Sequence, residues 1–161
     1  MKRIVGAKFN SIRRAADMLC LDLGEDIIDD KGNCYSQYSL HIQTSWRFVK
    51  GNEIILGSRD FYLPQDEALD DGNYDADEQS NPQCITDTSS IFDAQHHDFS
   101  KHFKDAVVKD YYINALGDLH INFTNGVCFE TFTPSSRKCE EWRFLPPSDD
   151  EDHFIIFDVL N

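Results

Sequence analysis

Hydrophobic positions in the first third of the chain recur every second residue rather than every 3.6, at Met18, Cys20, Leu21-Asp22-Leu23, Leu40-His41-Ile42 and Trp46-Arg47-Phe48. A period of two places alternate side chains on opposite faces of a pleated strand. The pattern predicts strands near residues 17–23, 37–49 and 53–58. Gly24, Gly32-Asn33 and Gly51-Asn52 supply the turns, and the last two strands form a hairpin. Residues 11–17 offer a short helical turn as an alternative, because Ala15 and Ala16 are good helix formers. Between residues 88 and 105, Ile91, Phe92, Gln95, Phe99, His102 and Phe103 fall near helical spacing behind Ser and Thr capping candidates. This predicts one amphipathic helix with its apolar stripe against a sheet.

The final third returns to strand patterning. Residues 107–115 alternate poorly, whereas Leu119-His120-Ile121-Asn122-Phe123 and Val127-Cys128-Phe129-Glu130-Thr131-Phe132 alternate cleanly around Asn125-Gly126, a type I′ hairpin signal. Shorter strands are predicted at residues 141–145 and 153–159. The last is almost continuously apolar, which predicts a central strand buried on both faces. The fold class that follows is α+β: an antiparallel, strand-dominated single domain over residues 1–161 with one main helix.

Composition supports a folded core and narrows the partners. Of the 161 residues 40% are hydrophobic and 12% aromatic, enough apolar surface to exclude wholesale disorder. The formal net charge is −14, which disfavours nucleic acid and anionic lipid and favours a basic protein as the charged partner. Residues 60–100 hold eleven Asp and Glu and no Lys or Arg. The stretch 64–82 within them is poor in large apolar residues and is predicted as a long exposed loop, with a charged docking surface as the sharper reading. The N-terminus shows no signal-peptide apolar run before Arg13-Arg14, and no segment approaches a membrane span. Five cysteines, Cys20, Cys34, Cys84, Cys128 and Cys139, include no CxxC pair and no close Cys/His spacing. That pattern predicts neither a disulfide framework nor a metal site, and a reduced, cytoplasmic protein without a cofactor.

Candidate chemistry is sparse. His96, His97 and His102 cluster around Asp98, and Asp98 and His102 share a helical face at i and i+4. A solvated helix face outweighs a metal site there, since no further ligand pattern such as HExxH is present. His41, His120 and His153 alternate with apolar neighbours, as outward-facing or cross-strand-paired strand residues do. No GxSxG elbow, GxGxxG or Walker sequence occurs, and the adjacent Glu140-Glu141 point to opposite strand faces. No catalytic residue is therefore assigned. In Ser45-Trp46-Arg47-Phe48 and Glu141-Trp142-Arg143-Phe144, Trp and Phe share one face and Arg takes the other. Core packing with the Arg paired to an acid outweighs an exposed Trp/Arg binding hot spot.

Several segments carry a resemblance: Ser11-Ile12-Arg13-Arg14-Ala15-Ala16-Asp17-Met18-Leu19 before Gly24, Ser39-Leu40-His41-Ile42-Gln43-Thr44-Ser45-Trp46-Arg47, and Ile54-Ile55-Leu56-Gly57-Ser58-Arg59-Asp60-Phe61-Tyr62. Gly117-Asp118-Leu119-His120-Ile121-Asn122-Phe123-Thr124-Asn125-Gly126 and Glu140-Glu141-Trp142-Arg143-Phe144 extend it. In these segments the chain resembles a group of small uncharacterised bacterial cytosolic proteins, which are similar to the immunity proteins of bacterial toxin systems, including contact-dependent inhibition. The resemblance covers most of the chain outside the acidic stretch and brings no catalytic residues. It implies an immunity protein that binds and neutralises a cognate basic toxin, one of nuclease type, whose substrate groove acidic side chains can fill in place of phosphate. The expected contacts are Asp66, Glu67, Asp70, Asp71, Asp75, Asp77 and Glu78, and secondly Asp149, Asp150, Glu151 and Asp152. Two other classes compete: an enzyme with a His and carboxylate site formed only in three dimensions, and an oligomerising module pairing through the strand edge at residues 153–159.

Overall fold

The computed structural model describes residues 1–137, 139–147 and 154–155. Ten strands form two five-stranded antiparallel sheets. The first contains β1 (Phe9–Ala15), β2 (Met18–Ile28), β3 (Cys34–Ile42), β9 (Trp142–Leu145) and β10 (Phe154–Ile155), in that order across the sheet. The second runs β5 (Glu53–Gly57), β4 (Ser45–Lys50), β8 (Val127–Phe132), β7 (Leu119–Phe123), β6 (Val108–Ile113). A short helix α1 (Ala76–Gln79) and the main helix α2 (Ile91–Phe99) follow β5, and α2 continues into a 3-10 turn at Ser100–Phe103. The chain is thus a strand-dominated α+β protein with one main helix.

Both sheets feed one core. Leu19, Leu21 and Leu23 of β2, Leu40 and Ile42 of β3, and Trp142 and Phe144 of β9 are buried with Trp46 and Phe48 of β4, Leu119 and Ile121 of β7, and Phe129 of β8. The helix supplies Phe92, Phe99 and Phe103, and Phe48 meets Phe99 edge-on at 5.0 Å between ring centroids. Phe9 stacks on Phe103 at 3.8 Å. The sheets also meet at a corner, where Lys8 bridges to Val107 and Phe9 N donates to Ala106 O. Each ring buries a large apolar surface, and edge-to-face pairing adds about 1 kcal/mol per contact beyond burial.

Both tryptophans are core residues: Trp46 is 2% exposed and Trp142 is fully buried, with its indole nitrogen donating to Gly117 O at 2.9 Å. On the opposite faces Arg47 bonds Glu130 and Arg143 ion-pairs with Glu140. The packing reading of both Trp/Arg clusters therefore holds.

Several expectations are corrected. The predicted strand at 37–49 is two strands in different sheets, because the chain turns at Gln43-Thr44, where Thr44 Oγ1 donates to Phe132 O at 2.6 Å. Residues 11–15 belong to β1, paired to β2 by a turn at Ala16 (φ 51°), rather than to a helical turn. Gly24 makes no turn. It sits at a bulge inside β2 with φ +85°, where an added Cβ would lie 2.5 Å from the Gln37 side chain. The β7–β8 hairpin forms as expected, but only Gly126 takes positive φ, so the turn is not type I′. Asn125 there accepts from Val127 N and donates to His102 O, tying the hairpin to the helix end. Of the predicted central strand at 153–159 only Phe154–Ile155 is described, and among the described residues it pairs with β9 alone, at the sheet edge; the rest of that stretch, with His153, lies outside the described residues.

Candidate functional site

The acidic segment is held in place rather than left as a loose loop. Its anchor is a salt bridge linking residues 79 apart in the chain: Arg14 Nε and Nη2 donate to the two carboxylate oxygens of Asp93, each at 2.8 Å. Both side chains are buried, the Asp93 side chain completely. Ser80 Oγ donates to the same carboxylate at 2.6 Å and accepts from Ser90 N. Tyr74 donates its hydroxyl to Thr88 O, and Ala76 is buried. The result is a chain segment fastened by Tyr74 to Thr88 and by Ser80 to Ser90 and Asp93 at the start of α2. The eleven acids of residues 60–100 are thereby divided in role. Asp93 is a buried structural ion, Asp98 pairs with Lys101 at 2.7 Å, and Asp60 accepts from Gly57 N at 2.7 Å.

All seven expected contact acids, Asp66, Glu67, Asp70, Asp71, Asp75, Asp77 and Glu78, are exposed. Three also shape the segment: Asp66 accepts from Ala68 N, Asp71 from Asn73 N, and Asp75 from Asp77 N. The hydrogen bonds from Asn73 hold the Asp71 carboxyl below its ordinary range. The side chains of Glu67, Asp70 and Glu78 make no hydrogen bond or ion pair among the described residues, which leaves their full charge to solvent. Partial burial, a hydrogen bond to Asp17 and the charges of Asp17 and Asp77 push the nearby Tyr62 hydroxyl up to about 12. The second expected group, Asp149, Asp150, Glu151 and Asp152, lies outside the described residues.

His97, Asp98 and His102 are exposed, as the solvated-face reading expects, and His96 alone departs from it. His96 is buried, stacked on Phe92 with ring planes 4° apart, and its Nδ1 is 3.1 Å from Asp93 O. Burial and the adjacent His97 lower its pKa. Asp98 and His102 do not pair: Asp98 takes Lys101, and the His102 ring lies 5.8 Å from Phe99. The His96 and His97 rings lie 3.9 Å apart between centroids.

Two sites invisible to motif reading lie on the outer sheet faces. On the first sheet a groove of about 430 Å³ is lined by Arg13, Asp22, Ser39 and His41 among others. Asp22 is buried and accepts from Ser39 Oγ at 2.7 Å, Arg13 Nε at 3.2 Å and Ser11 Oγ at 3.3 Å. Burial and the charges of Arg13 and Arg143 lower the pKa of His41. Both Asp22 oxygens are occupied, so this arrangement is a polar framework rather than an acid–base pair. On the second sheet, strand register brings His120, Cys128 and Glu130 together. The sequence signal for that meeting was the Asn125-Gly126 hairpin, whose pairing places residue 120 opposite 130. The five cysteines are all free thiols, and among the described residues no helix is long and apolar enough to cross a membrane.

Comparison with protein-family models, curated proteins and solved structures gives no significant match. The functional reading therefore rests on the residues and their geometry.

Proposed function

We propose that this protein is an immunity protein that captures a cationic toxin domain, of the nuclease type, by presenting its acidic segment to the toxin's basic substrate groove. One observation carries the reading: seven exposed carboxylates stand on a segment that contains no Lys or Arg and is pinned by the buried Arg14–Asp93 pair. Fixed negative charge steers a basic partner during encounter, and a pre-ordered segment avoids the entropy cost of ordering a loop on binding.

The test is protection in bacterial cells by co-expression with each of a panel of basic, nuclease-type toxin domains. Survival is expected with the wild-type chain and lost with the Glu67→Gln/Asp70→Asn/Glu78→Gln variant, which removes charge without touching a cap or the anchor. Wild-type chain that gives no protection overturns the immunity reading. Protection undiminished in the triple variant overturns the electrostatic contact.

A further inference from the structure

We propose that His120, Cys128 and Glu130 form a binding site for one divalent transition metal of the zinc class on the outer face of the second sheet, through imidazole nitrogen, thiolate and carboxylate. This site is independent of the acidic segment. Its three donors come from two paired strands: His120 is opposite Glu130, and Cys128 is opposite Asn122, so the ligands sit on one face of a rigid hairpin. Their ligand atoms all lie within 4.8 Å of one another. His120 Nδ1 and Glu130 Oε1 are 3.6 Å apart, close to the edge of about 3.4 Å that bonds of about 2.0–2.1 Å give a tetrahedral zinc site. The two edges from Cys128 Sγ fall within the same 4.8 Å limit.

The surroundings orient these ligands. Arg47 Nε holds Glu130 Oε2 at 2.6 Å, leaving Oε1 turned to the imidazole. The Tyr112 ring stacks on His120 at 4.3 Å with planes 8° apart. Such outer contacts fix ligand geometry and tune metal affinity. An N, S and O donor set suits zinc rather than magnesium or calcium, and three protein ligands leave a fourth position for water or a partner's side chain.

Binding forms a metal–sulfur bond and breaks the Cys128 S–H bond, with the proton released to solvent. Burial and Glu130, opposed by Arg47, push that thiol up to about 11. Metal and proton therefore compete, and affinity should rise with pH. The charged and titratable groups facing the site are Arg47 on β4, Glu130 on β8, Asp110 and Tyr112 on β6, and Asp118 beside β7.

Cobalt(II) titration of the full chain tests the site, followed by displacement with zinc. One equivalent should develop the intense near-ultraviolet thiolate-to-cobalt absorption, more tightly at pH 8 than at pH 6.5. The band should persist in Cys34→Ser/Cys84→Ser/Cys139→Ser, disappear in Cys128→Ser, and need about tenfold or more metal in His120→Gln. No band at one equivalent in the three-cysteine variant, or an equal band in Cys128→Ser, overturns the proposal. Should Cys128→Ser fail to fold by circular dichroism, the three-cysteine variant with and without His120→Gln decides: an unchanged titration sinks the site.

Discussion

The two sheets and the acidic segment are stabilised by different physics within one molecule. In the sheets, regular ladders satisfy the backbone and alternate side chains enter a shared apolar core, so each residue adds a little to a cooperative whole. Residues 64–90 contain one four-residue helix and short turns, and their attachment depends on a few polar points: Asp93 with Arg14 and Ser80, and Tyr74 with Thr88. The difference teaches that order can be dense or punctual. Damage to a sheet should be spread over the molecule, whereas damage to an anchor should first free the segment.

The sharpest break is in the aromatic core. Phe48 is fully buried against Phe99, Phe103, Phe129 and Trp46. Phe48→Ala should cost about 3–5 kcal/mol of global stability in chemical denaturation, from lost transfer energy and the cavity left behind. Circular dichroism and intrinsic fluorescence should report one coincident transition. Separate transitions for the two probes would mean that the sheets do not share one cooperative core.

Next in size is the anchor. Asp93→Ala leaves Arg14 as a buried, unpaired cation and should cost about 3–5 kcal/mol. The loss should appear first as faster hydrogen exchange and proteolysis in residues 64–90, ahead of the strand amides. Arg14→Met/Asp93→Leu should recover much of it, since removing both charges removes the desolvation penalty as well. If Asp93→Ala loosens strands and segment together, the distinction between dense and punctual order fails.

These two regions were unequally legible in the sequence. Strands with clean alternation, such as Leu119–Phe123 and Val127–Phe132, and the spacing of Phe92, Phe99 and Phe103 announce themselves because burial imposes their period. The break between β3 and β4 does not, because apolar alternation runs on through Ile42 and Trp46 while the chain changes sheet. The apolar run at the C-terminus predicts a central position, yet strand order places Phe154–Ile155 at an edge, and order is set by long-range pairing rather than composition. Arg14 and Asp93 belong to segments with no shared local pattern, so only the fold brings them together. Acidity made the seven contact candidates visible, but not their division among turn-capping Asp66, Asp71 and Asp75, Asp77 whose charge acts on Tyr62, and free Glu67, Asp70 and Glu78.

A moderate effect comes from two histidines, half-buried His41 and buried His96, one in each kind of region. His41 lies on β3, and His96 faces the anchor from α2; burial lowers both pKa values below the ordinary 6.5. The unfolded chain then binds more protons than the folded one between the folded values and 6.5. Stability from these groups is therefore present above pH 6.5 and lost as pH falls through that window. Thermal melts from pH 7.5 to 5 should decline. His96→Gln should flatten the decline and, if anchoring is local, should change the pH dependence of segment exchange more than that of the strands. A decline identical in the variant would remove His96 from the account.

The smallest expected effect is on folding by the free acids. Glu67→Gln/Asp70→Asn/Glu78→Gln removes three charges that contact nothing among the described residues, so each change should alter stability by less than about 0.5 kcal/mol. The sign should be favourable, because a chain of net charge −14 repels itself, and the gain should vanish as added salt screens that repulsion. Melting temperatures of wild type and variant at low and high ionic strength measure both points. A loss above about 1 kcal/mol would make these acids part of the segment's scaffold. A neutral or slightly positive result instead separates two roles of acidity in the fold: Asp93 holds the segment, and Glu67, Asp70 and Glu78 leave its stability untouched.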